Sequence, residues 1–260
     1  MATQVTTWTE FVTAYKDSNV NEIDIMNDLD CNNDLPTSQI AQRGTKTIHG
    51  NYHTIWNLST GTVVNNALIY TAGYYLTWEK TNFNNISRIE AYPVFSAESS
   101  RWAVFNDCTF VGNCPNRIVN NAILNRCTIT HTGSNLQTPF SSVQANYCWI
   151  RYEHKRNLDN GNAEFSALNS CYVEGKITTD LSSYNSIFDF SYTMDSCVIN
   201  VETSLPTSIS SNPSTTRPVT VFNTDKITNY RGSLSIVKGV SDEQMKDASY
   251  LSSVGFNIVV

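Results

Sequence analysis

Cysteine, carboxylate and histidine are the side chains of this sequence from which metal binding, nucleophilic attack or general acid–base chemistry could be built. Seven cysteines are present. Five of them, Cys108, Cys127, Cys148, Cys171 and Cys197, recur in one local frame: Phe105-Asn106-Asp107-Cys108-Thr109-Phe110, Leu124-Asn125-Arg126-Cys127-Thr128-Ile129, Ala145-Asn146-Tyr147-Cys148-Trp149-Ile150, Leu168-Asn169-Ser170-Cys171-Tyr172-Val173 and Met194-Asp195-Ser196-Cys197-Val198-Ile199. No C-x-x-C and no Cys/His spacing typical of zinc occurs, so buried, reduced thiols are expected and no metal or cofactor is predicted. The acids Glu153, Asp159, Glu164, Asp180, Asp189 and Asp195 supply candidates for glycoside hydrolysis, which needs two carboxylates held about 5 to 10 Å apart. No pair stands out among them. His49, His53 and His131 are isolated from one another in the repeat frame and are expected to be ordinary hydrogen-bonded histidines. The sequence has no G-x-x-x-x-G-K loop, no H-E-x-x-H helix and no G-x-S-x-G elbow, which removes three large enzyme classes.

The recurrence itself dictates the elements that position these residues. The cysteine spacings are 19, 21, 23 and 26. A fixed local motif at a drifting period near 20 residues is what loop insertions on one side of a solenoid produce. Weaker copies begin at Val64-Asn65-Asn66-Ala67, Phe83-Asn84-Asn85-Ile86 and Phe222-Asn223-Thr224-Asp225. Side chains alternate along a strand, so each Cys and the residue two positions later point inward together. The apolar residue three before Cys then belongs to the preceding strand. Asn106, Asn125, Asn146 and Asn169, with Asp195 as their substitute, fall at the corner, where Asn is expected to take the left-handed conformation; stacked corners can also exchange amide hydrogen bonds. Neighbouring thiols would sit about 4.8 Å apart with parallel Cβ vectors, which is poor geometry for a disulfide.

The predicted fold is therefore all-β: a single right-handed parallel β-helix over residues 1–260, with coils from 20 to 235 and short capping helices at 7–16 and 241–252. Thr7 and Glu10 have capping-box spacing ahead of the apolar stripe Trp8, Phe11, Val12 and Tyr15, and Ser241 and Gln244 repeat that spacing ahead of Met245, Ala248 and Leu251. Caps are required because an open coil exposes its apolar interior and its strand-edge hydrogen-bonding groups. The Ser-, Thr- and Pro-rich stretch from Ser204 to Arg217 reads as a loop bulging from the solenoid. No run of about 18 apolar residues suggests a membrane span, and the N-terminus has no secretory signal pattern. The net charge of −6 argues against a nucleic-acid partner, since the cluster Arg151, His154, Lys155 and Arg156 is too small to change the balance.

The Trp8-x-x-Phe11 helix followed by Ile23-Asp24-Ile25, the Asn-x-Cys-x-Ile coils and the ending Asp242-Glu243-Gln244-Met245 through Tyr250-Leu251-Ser252-Ser253-Val254-Gly255-Phe256 together resemble the pectate-lyase-like right-handed parallel β-helix proteins, and within them the virion proteins of tailed bacteriophages. That resemblance implies a virion location and a non-enzymatic structural role, as a capsid fibre, a decoration or a tail component. Its implied partners are other virion proteins or copies of this chain, including trimers. The alternative it leaves is a β-helix that binds or degrades host-surface polysaccharide.

Function on such a rod must lie on outward positions. Thr128, Trp149 and Tyr172 follow the cysteines on successive coils, and Arg151 and Glu174 lie two residues further on, where they would be adjacent and could pair. An exposed aromatic column of this kind marks a subunit interface, a sugar-binding platform or a surface covered by a loop.

Overall fold

The computed structural model describes residues 1–34, 36, 38–58, 68–71, 73–86, 95–97, 102–112, 118–135, 140–156, 165–178, 188–189, 191–205, 207–209, 220–231 and 237–256. The chain winds as a parallel β-solenoid whose strands lie in a 12-stranded, a 10-stranded and a 3-stranded sheet. Each coil contributes a strand ending at the Asn position to the first sheet, such as Ala103–Asn106, and a strand starting after Cys to the second, such as Thr109–Gly112. Register is kept from coil to coil: Asn106 faces Asn125, Asn125 faces Asn146, and Asn146 faces Asn169. Strands extend beyond the predicted 20–235, from Thr3–Val5 at one end to Lys238–Val240 at the other.

The interior follows from the period-two pattern. Phe105, Leu124, Ala145, Leu168 and Met194 are buried from the first sheet, and Phe110, Ile129, Ile150, Val173 and Ile199 from the second. Each large apolar side chain so buried contributes about 1.5 to 3 kcal/mol. Cys108, Cys127, Cys148, Cys171 and Cys197 are all buried and free. Each thiol donates to the carbonyl two residues earlier, as Cys127 Sγ does to Asn125 O and Cys171 Sγ to Asn169 O at 3.4 and 3.3 Å. Thr81, buried in the coil before Cys108, makes the same bond through its hydroxyl to Glu79 O at 3.0 Å.

The corner differs from expectation in one respect. The left-handed residue is the one after Asn: Asp107, Arg126, Tyr147, Ser170 and Ser196 have φ of 52 to 57°. Asn remains in the sheet and spends its amide on its neighbours. Asn125, Asn146 and Asn169 each donate Nδ2 to the Oδ1 of the preceding coil's Asn at 2.8 to 2.9 Å, a ladder that a backbone turn at Asn itself would disrupt. Asp195 stands at the next rung but has no amide to donate.

Helix α1 (Trp8–Lys16) is capped by the Thr7/Glu10 box and buries Trp8, Phe11 and Tyr15; the Phe11 ring lies 5.5 Å from Trp78 in the core. Behind it Lys46 is fully buried, with its ammonium donating to the backbone carbonyls of Asp17, Val20 and Arg43.

The C-terminal cap is two helices, α2 (Asp242–Lys246) and α3 (Ala248–Ser253). Met245, Leu251 and Phe256 pack on the outward-facing Val198, Val221 and Val240, so the helices at this end of the solenoid lie over the flank of its last coils, and Ala248 is exposed. Outward valines on three successive coils form an apolar stripe that water would otherwise meet, which is why the segment folds there. The expected bulge at Ser204–Arg217 also differs. Thr207–Ser208 is a strand of the third sheet, and Leu205, Thr207 and Ile209 are buried on the period-two pattern of a strand. Residues 210–217 lie outside the described set, as do 64–67 of the early motif copy.

Candidate functional site

The outward column of the second sheet runs in register through Thr109, Thr128, Trp149, Tyr172, Val198 and Val221. Val198 and Val221 are under the C-terminal helices, and Tyr172 is half-buried against the same cluster. Trp149 is left 52 % exposed. Its position is set locally: Tyr147 turns the corner at φ 55°, Cys148 points inward, and the indole must therefore point out.

The ring is held in place. Its Nε1 donates to Glu174 Oε1 at 3.1 Å, and its ring meets that of Tyr172 in a T-shaped contact with centroids 6.1 Å apart at 81°. The Tyr172 hydroxyl accepts from Asn200 Nδ2 at 3.2 Å, and burial raises its pKa above the ordinary phenol value. Arg151 and Glu174 are directly opposite in register, as expected. Of the pairings open to them they take others: Arg151 reaches Glu153 on its own strand at 2.5 Å, and Glu174 is engaged by the indole. Two side chains one apart on the same face of one strand meet more easily than Arg151 can displace an N–H that is already seated.

Beside Trp149 lies a groove of about 310 Å³, with Arg151, Glu153, Glu174, Lys176 and Glu202 in its lining. Lys176 pairs with Glu202 at 2.5 Å. Lys176, Glu202 and Lys226 also line a second cavity of about 680 Å³ that reaches Asp225 and Asp242. Gly175 forms part of the floor at φ +111°, and a Cβ there would lie 1.9 Å from Tyr152 O, so only glycine lets the strand pass. Asp242 joins the groove to the C-terminal helices. It accepts from Asn223 at 2.9 Å and pairs with Lys226 and Lys246, and the Lys246 hydrogen bond first, then Asn223, brings its carboxyl down to about 2.

Of the residues singled out in the sequence, Thr128, Trp149, Arg151, Tyr172 and Glu174 occupy one outward face, while the five cysteines and the Asn ladder build the wall behind it. Among the acids, Glu153 lies at the groove. Asp195 sits at the corner, where Ser196 Oγ donates to it at 3.0 Å. Asp159, Glu164 and Asp180 lie outside the described residues. His49 meets Glu79 at 3.1 Å and His53 meets Asp28 at 3.4 Å, both far along the rod; His131 is buried. Among the described residues, no group of three or more His, Cys, Asp or Glu is placed to hold a metal ion, and no helix is long and apolar enough to cross a membrane.

Sequence reasoning missed Tyr147, 65 % exposed on the corner beside Trp149, and the partners Lys176 and Glu202. The signal for the latter two was present: adding the coil spacings of 23 and 26 to Glu153 gives Lys176 and then Glu202.

The model of the family described as a putative pectate lyase-like adhesive domain matches residues 2–113, the coils that precede Trp149. Comparison with curated proteins and with solved structures gives no match. The chain is a parallel β-helix protein whose N-terminal coils are similar to that adhesive family.

Proposed function

We propose that this chain is a non-enzymatic adhesive β-helix that holds a surface glycan against Trp149. The single observation that carries this reading is an exposed indole held by two partners, a hydrogen bond to Glu174 and a T-shaped contact with the Tyr172 ring. A flat aromatic ring offers a large apolar contact to the C–H face of a sugar at little entropic cost when it is already ordered. The similarity of residues 2–113 to an adhesive domain supports the same reading. So does the engagement of the groove carboxylates: Glu153, Glu174 and Glu202 are each tied to Arg151, Trp149 or Lys176, an arrangement suited to holding a ligand.

The setting we propose is a bacteriophage particle, in which the rod would serve as a fibre, decoration or tail component in contact with the host surface or with other virion proteins. Mass spectrometry of purified particles tests the setting, and absence of the chain at stoichiometric levels would remove it. The adhesive role is tested separately by incubating the protein with host-surface polysaccharide. Retention of the polysaccharide without chain shortening is expected, whereas release of oligosaccharides would replace binding with degradation.

A further inference from the structure

The charges beside Trp149 are arranged in pairs, and that arrangement restricts what can lie there. Three cations, Arg151, Lys176 and Lys226, meet three carboxylates, Glu153, Glu174 and Glu202, in the groove lining. Coil register sets Arg151 against Glu174 and Glu153 against Lys176, so neighbouring positions alternate in sign both along and across the strands. Arg151 is satisfied by Glu153, Lys176 by Glu202, and Lys226 by Asn200 and Asp242. The adjoining cavity adds two more carboxylates, Asp225 and Asp242.

From this we infer that the glycan held at Trp149 is uncharged, lying with a pyranose face on the indole and its hydroxyls in the groove. The inference rests on the adhesive reading and names the ligand class for it. A hydroxyl is donor and acceptor at once, so vicinal hydroxyls fit a surface where carboxylate oxygens and cationic N–H groups alternate. Each such contact is charge-assisted yet brings no net charge into the groove. An anionic polysaccharide meets the opposite situation. Its carboxylates would have to displace Glu153 or Glu202 from their cations, and like charges in a partly closed site repel strongly. Glu174 belongs to both halves of the site: it fixes the ring and lines the groove, so a sugar on the ring and the next sugar in the groove touch the same carboxylate.

The test is calorimetric titration of the full chain with dextran, mannan, cellohexaose and chitohexaose as uncharged probes and polygalacturonate as the anionic one, at about 20 mM and about 500 mM NaCl. At least one uncharged probe is expected to bind with an affinity that changes less than about threefold with salt, and polygalacturonate to bind at least about tenfold more weakly. Trp149→Ala should weaken the uncharged probe about tenfold or more. Glu174→Gln keeps an acceptor for the indole but removes the charge from the contact that both sugars share, so it should weaken the uncharged probe about threefold to tenfold, less than Trp149→Ala does, and strengthen polygalacturonate. Tighter, salt-sensitive binding of polygalacturonate by the unaltered chain would overturn the uncharged ligand and leave the adhesive role standing. Binding of an uncharged probe that Trp149→Ala does not weaken would overturn the site. Failure to bind any of the five probes would overturn both the inference and the adhesive reading.

Discussion

Trp149 donates its indole N–H to Glu174 Oε1 at 3.1 Å across the boundary between two coils, so the most exposed large ring of the outward column is also an oriented one. The bond exists because the coil spacing of 23 residues sets Trp149 opposite Tyr172 and Glu174 one step further along the same face. Glu174→Ala is expected to free the ring, moving the Trp149 indole N–H resonance toward that of solvent-exposed indole and speeding its exchange. Glu174→Gln should leave the resonance nearly in place, because the amide oxygen accepts the same bond. Since the pair is exposed, either change should alter global stability by less than about 1 kcal/mol in urea unfolding.

The thiol column predicts alkaline sensitivity. Burial first, and the flanking thiols second, push Cys171 well above the ordinary thiol range, and Cys127 is raised as well, chiefly through its contact with Cys108. A thiol ionises near pH 8.5 in an unfolded chain, but Cys127 and Cys171 stay protonated in this fold. Above that pH the unfolded state therefore binds fewer protons, and stability falls as pH rises. Urea midpoints should be level from pH 6 to 8 and decline above about 8.5, less steeply in Cys171→Ser. Native protein should resist alkylation at all five cysteines until it is unfolded.

The amide ladder predicts a cost for an isosteric change. Asn125→Asp removes the donor to Asn106 Oδ1 and sets a carboxylate against that oxygen, while Asn146 Nδ2 still finds an acceptor. Loss of about 1 to 3 kcal/mol is expected in denaturant unfolding, with the effect reduced at low pH where the carboxyl is protonated.

The C-terminal helices predict the result of a truncation. Ending the chain at Val240 would bare Val198, Val221 and Val240, which Met245, Leu251 and Phe256 now cover. The shortened protein should bind a hydrophobic dye strongly and associate in light scattering, while its far-ultraviolet β signal persists. An unchanged monomer with no dye binding would contradict the flank assignment.

The parallel coils, the inward thiols and the capping boxes were legible in the sequence because each is a short-range pattern: a period of two along a strand, a recurring motif near 20 residues, and a three-residue spacing at a helix start. The face carrying Trp149, Arg151, Tyr172 and Glu174 was legible for the same reason. Which side chain met which was not. Glu174 chose the indole over Arg151, Ser196 and its equivalents took the left-handed turn in place of the Asn positions, and α2 and α3 found their apolar partners in Val198 and Val221. Those outcomes depend on competition among neighbours brought together from different coils. Register lists the competitors, but only the three-dimensional distances decide which hydrogen bond or apolar contact is made.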